Sequence, residues 1–263
     1  AMRNVAAVGA TPHAISDCLC FGNPENPNQM WEFVESVRGV AEACNQIKLK
    51  HNQKHPTPII AGNVSFYNES KSGAIPPSPI VSCLGKLENI DKTISMSFKK
   101  ENSTILMLGL RKNEMGGSLF YQLNSELGAN VPNPDLNEVK KQIYAITDCI
   151  DQSLLNACHD ISDGGLAIAL TEMSFKNEIG FDIKIKQDYN DDILLFSETG
   201  GFVLEIDNDN TNDVENVFNK YNLNYQNIGK TNNSSKLIIN KSINLELKKA
   251  KSLWENGLRN QLK

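Results

Sequence analysis

No apolar run in the sequence approaches the ~20 residues of a membrane span. Its start also lacks the basic and apolar regions of a secretory signal, so a cytoplasmic protein is expected. Positive charge is not in excess: 26 Lys and Arg against 31 Asp and Glu leave a formal net charge of −5. That excludes a general nucleic-acid surface, which needs a dense basic face. It leaves room for a nucleotide site, where a few amides and one metal ion suffice. There is no Walker loop, which needs a lysine after its final glycine, and no dinucleotide fingerprint. No serine or cysteine sits in a glycine-flanked nucleophile elbow. The cysteines are few: Cys18, Cys20, Cys44, Cys83, Cys149 and Cys158. They lie in apolar segments rather than a loop-rich disulfide framework and read as buried free thiols. Cys18-Leu19-Cys20 on a strand would put both thiols on one face, yet no second ligand pair follows at zinc spacing.

What is present suits a globular chain with two domains, since 263 residues exceed a single minimal core. Hydrophobic residues make up 40% and charged residues 22%, the balance of a soluble protein. Ala1-Met2-Arg3-Asn4 runs into the apolar Val5-Ala6-Ala7-Val8-Gly9. This reads as a start inside a helix, as in a trimmed chain, with Gly9 near the helix end. A strand over 14–21 stops at Gly22-Asn23-Pro24. Asn28 is expected to cap a helix that puts Met30, Phe33, Val34, Val37, Ala41, Cys44 and Ile47 on one core-facing stripe. Residues 48–56 read as a polar loop, and Pro56 and Pro58 argue against a helical metal pair of His51 and His55. A short buried strand is expected over 57–61 and another strand over 80–84. The polar stretch 91–102 marks a boundary, giving a domain over 1–95 and another over 96–263. In the second, strands are expected over 104–110, 158–161, 181–185 and 202–206. Helices are expected over 118–127, 139–154, 166–175 and 213–221, with a closing helix carrying Leu247, Ala250, Trp254 and Leu258.

Three glycine-bearing turns are candidates for chemistry: Gly62-Asn63-Val64-Ser65, Gly116-Gly117-Ser118 and Asp160-Ile161-Ser162-Asp163-Gly164-Gly165. Glycine permits close backbone approach, and hydroxyls or carboxylates follow within one or two residues. The latter two open helices, where free amides and the dipole favour an anion. Asp160, Asp163, Gly164 and Gly165 are therefore phosphate or metal candidates. His159 stands beside Asp160, but strand alternation predicts that the two point apart.

Five segments together carry a resemblance. They are residues 15–27 (Ile15-Ser16-Asp17-Cys18-Leu19-Cys20-Phe21-Gly22-Asn23-Pro24 and onward), residues 60–69 around Gly62-Asn63-Val64-Ser65-Phe66-Tyr67-Asn68-Glu69, Met115-Gly116-Gly117-Ser118, residues 158–166, and Leu195-Phe196-Ser197-Glu198. In this order, over nearly the whole chain, they resemble the C-terminal half of the synthase part of phosphoribosylformylglycinamidine synthase. The resemblance implies an α+β fold like one half of aminoimidazole ribonucleotide synthetase. A truncated N-terminal α/β ATP-binding-type domain would be followed by a C-terminal α+β domain. It implies ATP and Mg2+ as cofactors and formylglycinamide ribonucleotide as substrate. Implied partners are the missing N-terminal half of the same protein and a glutaminase subunit or domain. By motif, Asp17 and Gly62 would contact ATP, Asn63 would ligate magnesium, and Ser65 would bind the ribonucleotide. The family's catalytic histidine lies in the other half, so this chain alone would be inactive, and it could self-associate. Two other readings remain open: another ATP-dependent member of the superfamily, such as a selenophosphate synthetase-like enzyme, or a non-catalytic structural half.

Overall fold

The computed structural model describes residues 1–240 and 242–262. A first unit opens with helix α1 (Met2–Ala7), which ends before Gly9 in the left-handed region at φ +94°. Strand β1 (Thr11–Cys20) and helix α2 (Pro27–Gln46) follow. Asn26 caps α2 by accepting from the Asn28 amide, and Pro27 occupies the first helical turn. The expected cap, Asn28, is thus two residues too late; Pro27 needs no amide partner and suits the first helical position. The polar stretch after α2 forms a hairpin rather than a loop, β2 (Lys48–Leu49) with β3 (Asn52–Pro56).

Strand β4 (Ile59–Ser65) comes next, then the short hairpin of β5 (Glu69–Ser70) and β6 (Gly73–Ala74), then β7 (Ser78–Lys86). The sheet order is β4-β1-β7, with β1 parallel to β4 and antiparallel to β7. Helix α2 is the crossover between the parallel pair, as two parallel neighbours require. The expected buried strand at 57–61 is an exposed edge: Thr57 is buried, whereas Ile59 and Ile60 are 46% and 63% exposed. The stripe on α2 is also less buried than its spacing suggests. Met30, Trp31 and Val37 are exposed, and the buried contact shifts toward Cys44 and Ile47.

The second unit is built on a seven-stranded sheet of order β14-β13-β10-β12-β8-β11-β9. Its members in chain order are β8 (Thr104–Leu108), β9 (Ala157–Ile161), β10 (Gly180–Ile183), β11 (Gly201–Ile206), β12 (Tyr225–Asn232), β13 (Lys236–Ile239) and β14 (Ile243–Glu246). Its helices are α3 (Leu119–Leu123), α4 (Leu136–Asp151), α5 (Gly165–Phe175), α6 (Asp191–Phe196), α7 (Thr211–Lys220) and α8 (Leu247–Gln261). Helix α3 is five residues long, far shorter than the pattern over 118–127 suggests. Strands β12, β13 and β14 mix polar and apolar residues, so no clean alternation marks residues 225–246.

Alternation along β8 divides the core. Leu106 and Leu108 face α4 and α7, whereas Ile105 and Met107 face α5 and α8. The first of these cores continues through Ala6, Ile15, Cys44 and Ile47, so the first unit packs on α4. Burial of these side chains on both sides of β8 stabilises by ~1.5–3 kcal/mol each, which makes the sheet the anchor for every loop at its rim. Mixed helix and strand in segregated layers is the α+β class that the motifs imply.

Candidate nucleotide and substrate site

Asp17 and Gly62 are 45 positions apart in sequence and adjacent in space. The parallel register pairs Asp17 with Gly62, Cys18 with Asn63, Leu19 with Val64 and Cys20 with Ser65. Gly62-Asn63-Val64-Ser65 is therefore strand, not turn, and Ser65 is the last residue of β4. A β-carbon placed on Gly62 would lie 3.0 Å from Asp17 Oδ1 and 3.3 Å from Oδ2. Glycine here is a cradle for that carboxylate. Ser65 Oγ lies 3.1 Å from Asn68 Nδ2, which also donates to the carbonyls of Phe21 and Ser65 at 2.9 Å. Asn68 thus ties the ends of β1 and β4 together.

The four residues gather at one edge of the sheet but do not share a face. Register partners in a parallel pair point the same way, and faces alternate along each strand. Asp17 and Gly62 therefore face α2, while Asn63 and Ser65 face the opposite, open side with Cys18 and Cys20. Because β4 is the edge strand, a ligand lying along it can reach both faces.

The second-domain candidates are arranged differently. Gly164 and Gly165 both have positive φ, +75° and +71°, and lead into α5. The Gly164 amide donates to Glu198 Oε1 at 2.9 Å, and so does the amide of Leu119 at the start of α3. A carboxylate of the chain itself thus occupies the place of an anion at both helix starts, where amides and dipole favour it. Asp163 is exposed on the turn. Asp160 is buried and engaged: Asn4 donates to Oδ1 at 3.3 Å, and His159 Nδ1 lies 3.4 Å from the same oxygen.

That last contact corrects the expectation that His159 and Asp160 point apart. On β9, an edge strand, the two side chains meet in spite of alternation. His159 Nε2 also meets Glu172 Oε2 at 3.0 Å. Burial alone would lower the imidazole pKa, but these two carboxylates outweigh it and raise it to about 9. The loop at residues 197–200 hides a polar knot that the sequence did not reveal. Arg111 is fully buried and donates to the carbonyls of Ser197 and Thr199, with its pKa pushed down to about 10, chiefly by burial. Thr199 Oγ1 donates to Glu114 Oε2 at 2.6 Å. Beside this knot lies a cavity of about 110 Å³, walled by Arg3, Lys112, Glu114, Gln142 and Glu198. An arginine three residues after the apolar strand β8 was the one available signal. Among the described residues, no group of three or more His, Cys, Asp or Glu side chains is placed to hold a metal ion.

Two family models match the chain: AIR synthase related protein, N-terminal domain, over residues 1–87, and AIR synthase related protein, C-terminal domain, over residues 100–241. Phosphoribosylformylglycinamidine synthase subunit PurL of Methanothrix thermoacetophila is 41% identical over 269 aligned residues, covering all of this chain and 35% of the relative. The same subunit of Aquifex aeolicus is 34% identical, covering 97% of this chain and 35% of its own length. The chain therefore spans about a third of the length of these relatives. Among solved structures, PurL of T. maritima complexed with FGAR superposes with a TM-score of 0.74 at 15% identity, over 95% of this chain and 41% of that one. The same protein complexed with ATP gives 0.71 at 15% identity, over 95% and 39%. A thiamine-monophosphate kinase from Stenotrophomonas maltophilia shares the fold at 0.61 and 14% identity, over 91% and 75%. With models matching both of its units and relatives aligned along its full length, the chain belongs to the AIR synthase related family.

Proposed function

We propose that the chain is the second half of the synthase part of a phosphoribosylformylglycinamidine synthase, with the division between its two domains at about residue 95. In the reaction, the formamide oxygen of formylglycinamide ribonucleotide is phosphorylated by ATP. Ammonia, supplied from glutamine by a glutaminase partner, then displaces phosphate and leaves the amidine, with ADP as coproduct. This is an ATP-dependent carbon–nitrogen ligation. The observation that carries the reading is the register of β1 on β4, which sets Asp17 beside Gly62 and places Asn63 and Ser65 one and three residues further along. The 41% identity to a PurL subunit along the entire chain supports it.

The residues present fit part of the required set. Gly62 leaves space above the Asp17 carboxylate that any side chain would fill, so the backbone can approach a nucleotide. Asn63 offers a neutral carbonyl oxygen, a hard donor suited to magnesium, without adding negative charge beside phosphates. Magnesium, when bound, would offset the charge developing on the transferred phosphoryl group. Ser65 would donate to a substrate oxygen from the open face. The remaining ligands, and the group that handles the proton, would come from the other half of the complete protein. Proximity and alignment supply ~7–11 kcal/mol of such a barrier, so the purified chain is expected to form no amidine from substrate, ATP and ammonia.

The test is steady-state kinetics on the complete synthase containing this chain. Ser65→Ala should raise KM for formylglycinamide ribonucleotide ~10- to 100-fold, the equivalent of losing one hydrogen bond to a charged group, with the fold intact by circular dichroism. Asn63→Leu should abolish magnesium-dependent turnover. Unchanged kinetics in both variants would reject the site.

A further inference from the structure

Beyond that activity, we propose that Cys18 and Cys20 form a two-thiolate binding site for a soft d10 cation of the zinc group, on the open face of the three-stranded sheet. The two side chains project from the same face of β1, and their sulfurs stand 3.8 Å apart. Two Zn–S bonds of ~2.3 Å at a tetrahedral angle span ~3.8 Å between sulfurs. The pair therefore already has the bite of a chelate, and binding requires no movement of the strand.

The same distance argues against a disulfide. Cα atoms two apart on a strand are separated by ~6.6 Å, at the far end of the range a disulfide tolerates, and the sulfurs would have to close to ~2.05 Å. β1 is hydrogen-bonded to β4 on one side and β7 on the other across Cys18 and Cys20, so the backbone cannot bend to allow it.

Both thiols are half-exposed, and soft sulfur selects zinc-group ions over magnesium. Competing thiols are withdrawn. Cys44, Cys149 and Cys158 are buried, and burial pushes their pKa values up, Cys149 to about 12. Cys83 belongs to the opposite face, since it pairs with Ile15, which packs into the core. Binding expels protons: two thiols and one divalent cation give a neutral dithiolate complex and two protons. Water completes the coordination, with Asn63 and Ser65, the register partners of Cys18 and Cys20, as side-chain oxygen donors on that face. An ion here would also crowd Asn63 and Ser65. That consequence rests on the proposed function, whereas the binding itself does not.

The experiment is a titration of the reduced, purified chain with Cd2+ in chelator-free buffer, following the ultraviolet thiolate-to-cadmium charge-transfer band. Saturation at one ion per chain is expected, with affinity rising with pH and the band bleached by Zn2+ in competition. Cys18→Ser and Cys20→Ser should each weaken binding by at least ~10-fold, the scale of losing even an outer partner of a metal site. Cys83→Ser should bind as the parent does. Circular dichroism of each variant separates lost ligation from lost folding. The site is overturned if the band is absent from the parent, if it survives in the folded Cys18→Ser/Cys20→Ser double variant, or if Cys83→Ser abolishes it. Because this readout needs neither substrate nor turnover, it can fail while the assigned synthase activity stands.

Discussion

Gly165 has no room for a side chain. Its φ is +71°, and an added β-carbon would lie 2.7 Å from the carbonyl oxygen of Leu195 and 2.8 Å from that of Ser197. The left-handed conformation alone costs an alanine ~1–2 kcal/mol, and backbone atoms cannot step aside. Gly165→Ala is expected to destabilise the fold by more than ~2 kcal/mol, measured by urea unfolding. At Gly62 the neighbour is instead the far end of an Asp17 side chain, and φ is ordinary. Gly62→Ala should leave stability within ~1 kcal/mol while weakening nucleotide binding in the complete enzyme. The ion pairs of His159 make a third residue-scale prediction. A folded pKa of about 9 lies above the unfolded value of ~6.5. The stabilisation is therefore fully present below pH ~6.5 and is lost as pH rises through about 9, at up to ~1.4 kcal/mol per unit. Thermal unfolding from pH 6 to 10 should show this decline, and Glu172→Gln should flatten it. A parent profile with no slope across that window would remove His159 as a stabilising cation.

At the scale of elements, helices announced themselves better than strands. α4 and α7 were legible because their apolar residues recur at helical spacing against polar ones. β4 was legible only in part, as a strand expected over 57–61, and its exposure and its run through Ser65 were not, because period-two reasoning needs one wet face and one dry one. As the sheet's edge, β4 exposes Ile59, Ile60 and Val64 alike. The starts of α3 and α5 show a different kind of limit. Their glycines announced an anion site, but the anion found there is Glu198, from a loop more than thirty residues beyond Gly164. Each such bond to a charged acceptor is worth ~1.5–3 kcal/mol before its own costs. Glu198→Ala should therefore lower stability by ~1–3 kcal/mol and speed hydrogen exchange at the Leu119 and Gly164 amides more than elsewhere. Unaltered exchange at both amides would show that the carboxylate does not hold these helix starts.

For the whole molecule, the two sheets are joined by more than a linker. Tyr144 donates to the carbonyl of Lys48 at 2.6 Å, and Lys50, almost buried, meets Asp148 at 2.6 Å and Thr147 Oγ1 at 2.7 Å. The hairpin of β2 and β3 thereby clasps α4, next to the apolar core that runs through Ile15, Cys44 and Ile143. Truncating one partner of a buried pair is costly because it strands the other. Lys50→Ala should thus lower the unfolding midpoint, and calorimetry should show the two units melting less as one. The open face of the small sheet carries Ile80 and Leu84, each more than half exposed. Exposed apolar surface of this kind marks a contact surface. The isolated chain is expected to self-associate through it, and sedimentation of Leu84→Glu should then show a shift toward monomer.

Local order in the chain was enough to reveal the composition class, most helices and the turn-like run Gly62-Asn63-Val64-Ser65, which depend on spacing, on glycine where backbone must come close, and on side-chain chemistry, all properties of neighbours in sequence. Asp17 joined that run as a proposed site only through the motifs that carry the family resemblance. Which face each residue occupies was decided only by pairing. A register of Asp17 on Gly62 puts that pair toward α2 and sends Asn63 and Ser65, with Cys18 and Cys20, to the open side, whereas a slip of one residue would exchange them. The contact of Asn4 with Asp160, the hold of Glu198 on two helix starts and the burial of Arg111 likewise required segments far apart in sequence to meet. Packing sets such long-range contacts, and no local periodicity records them.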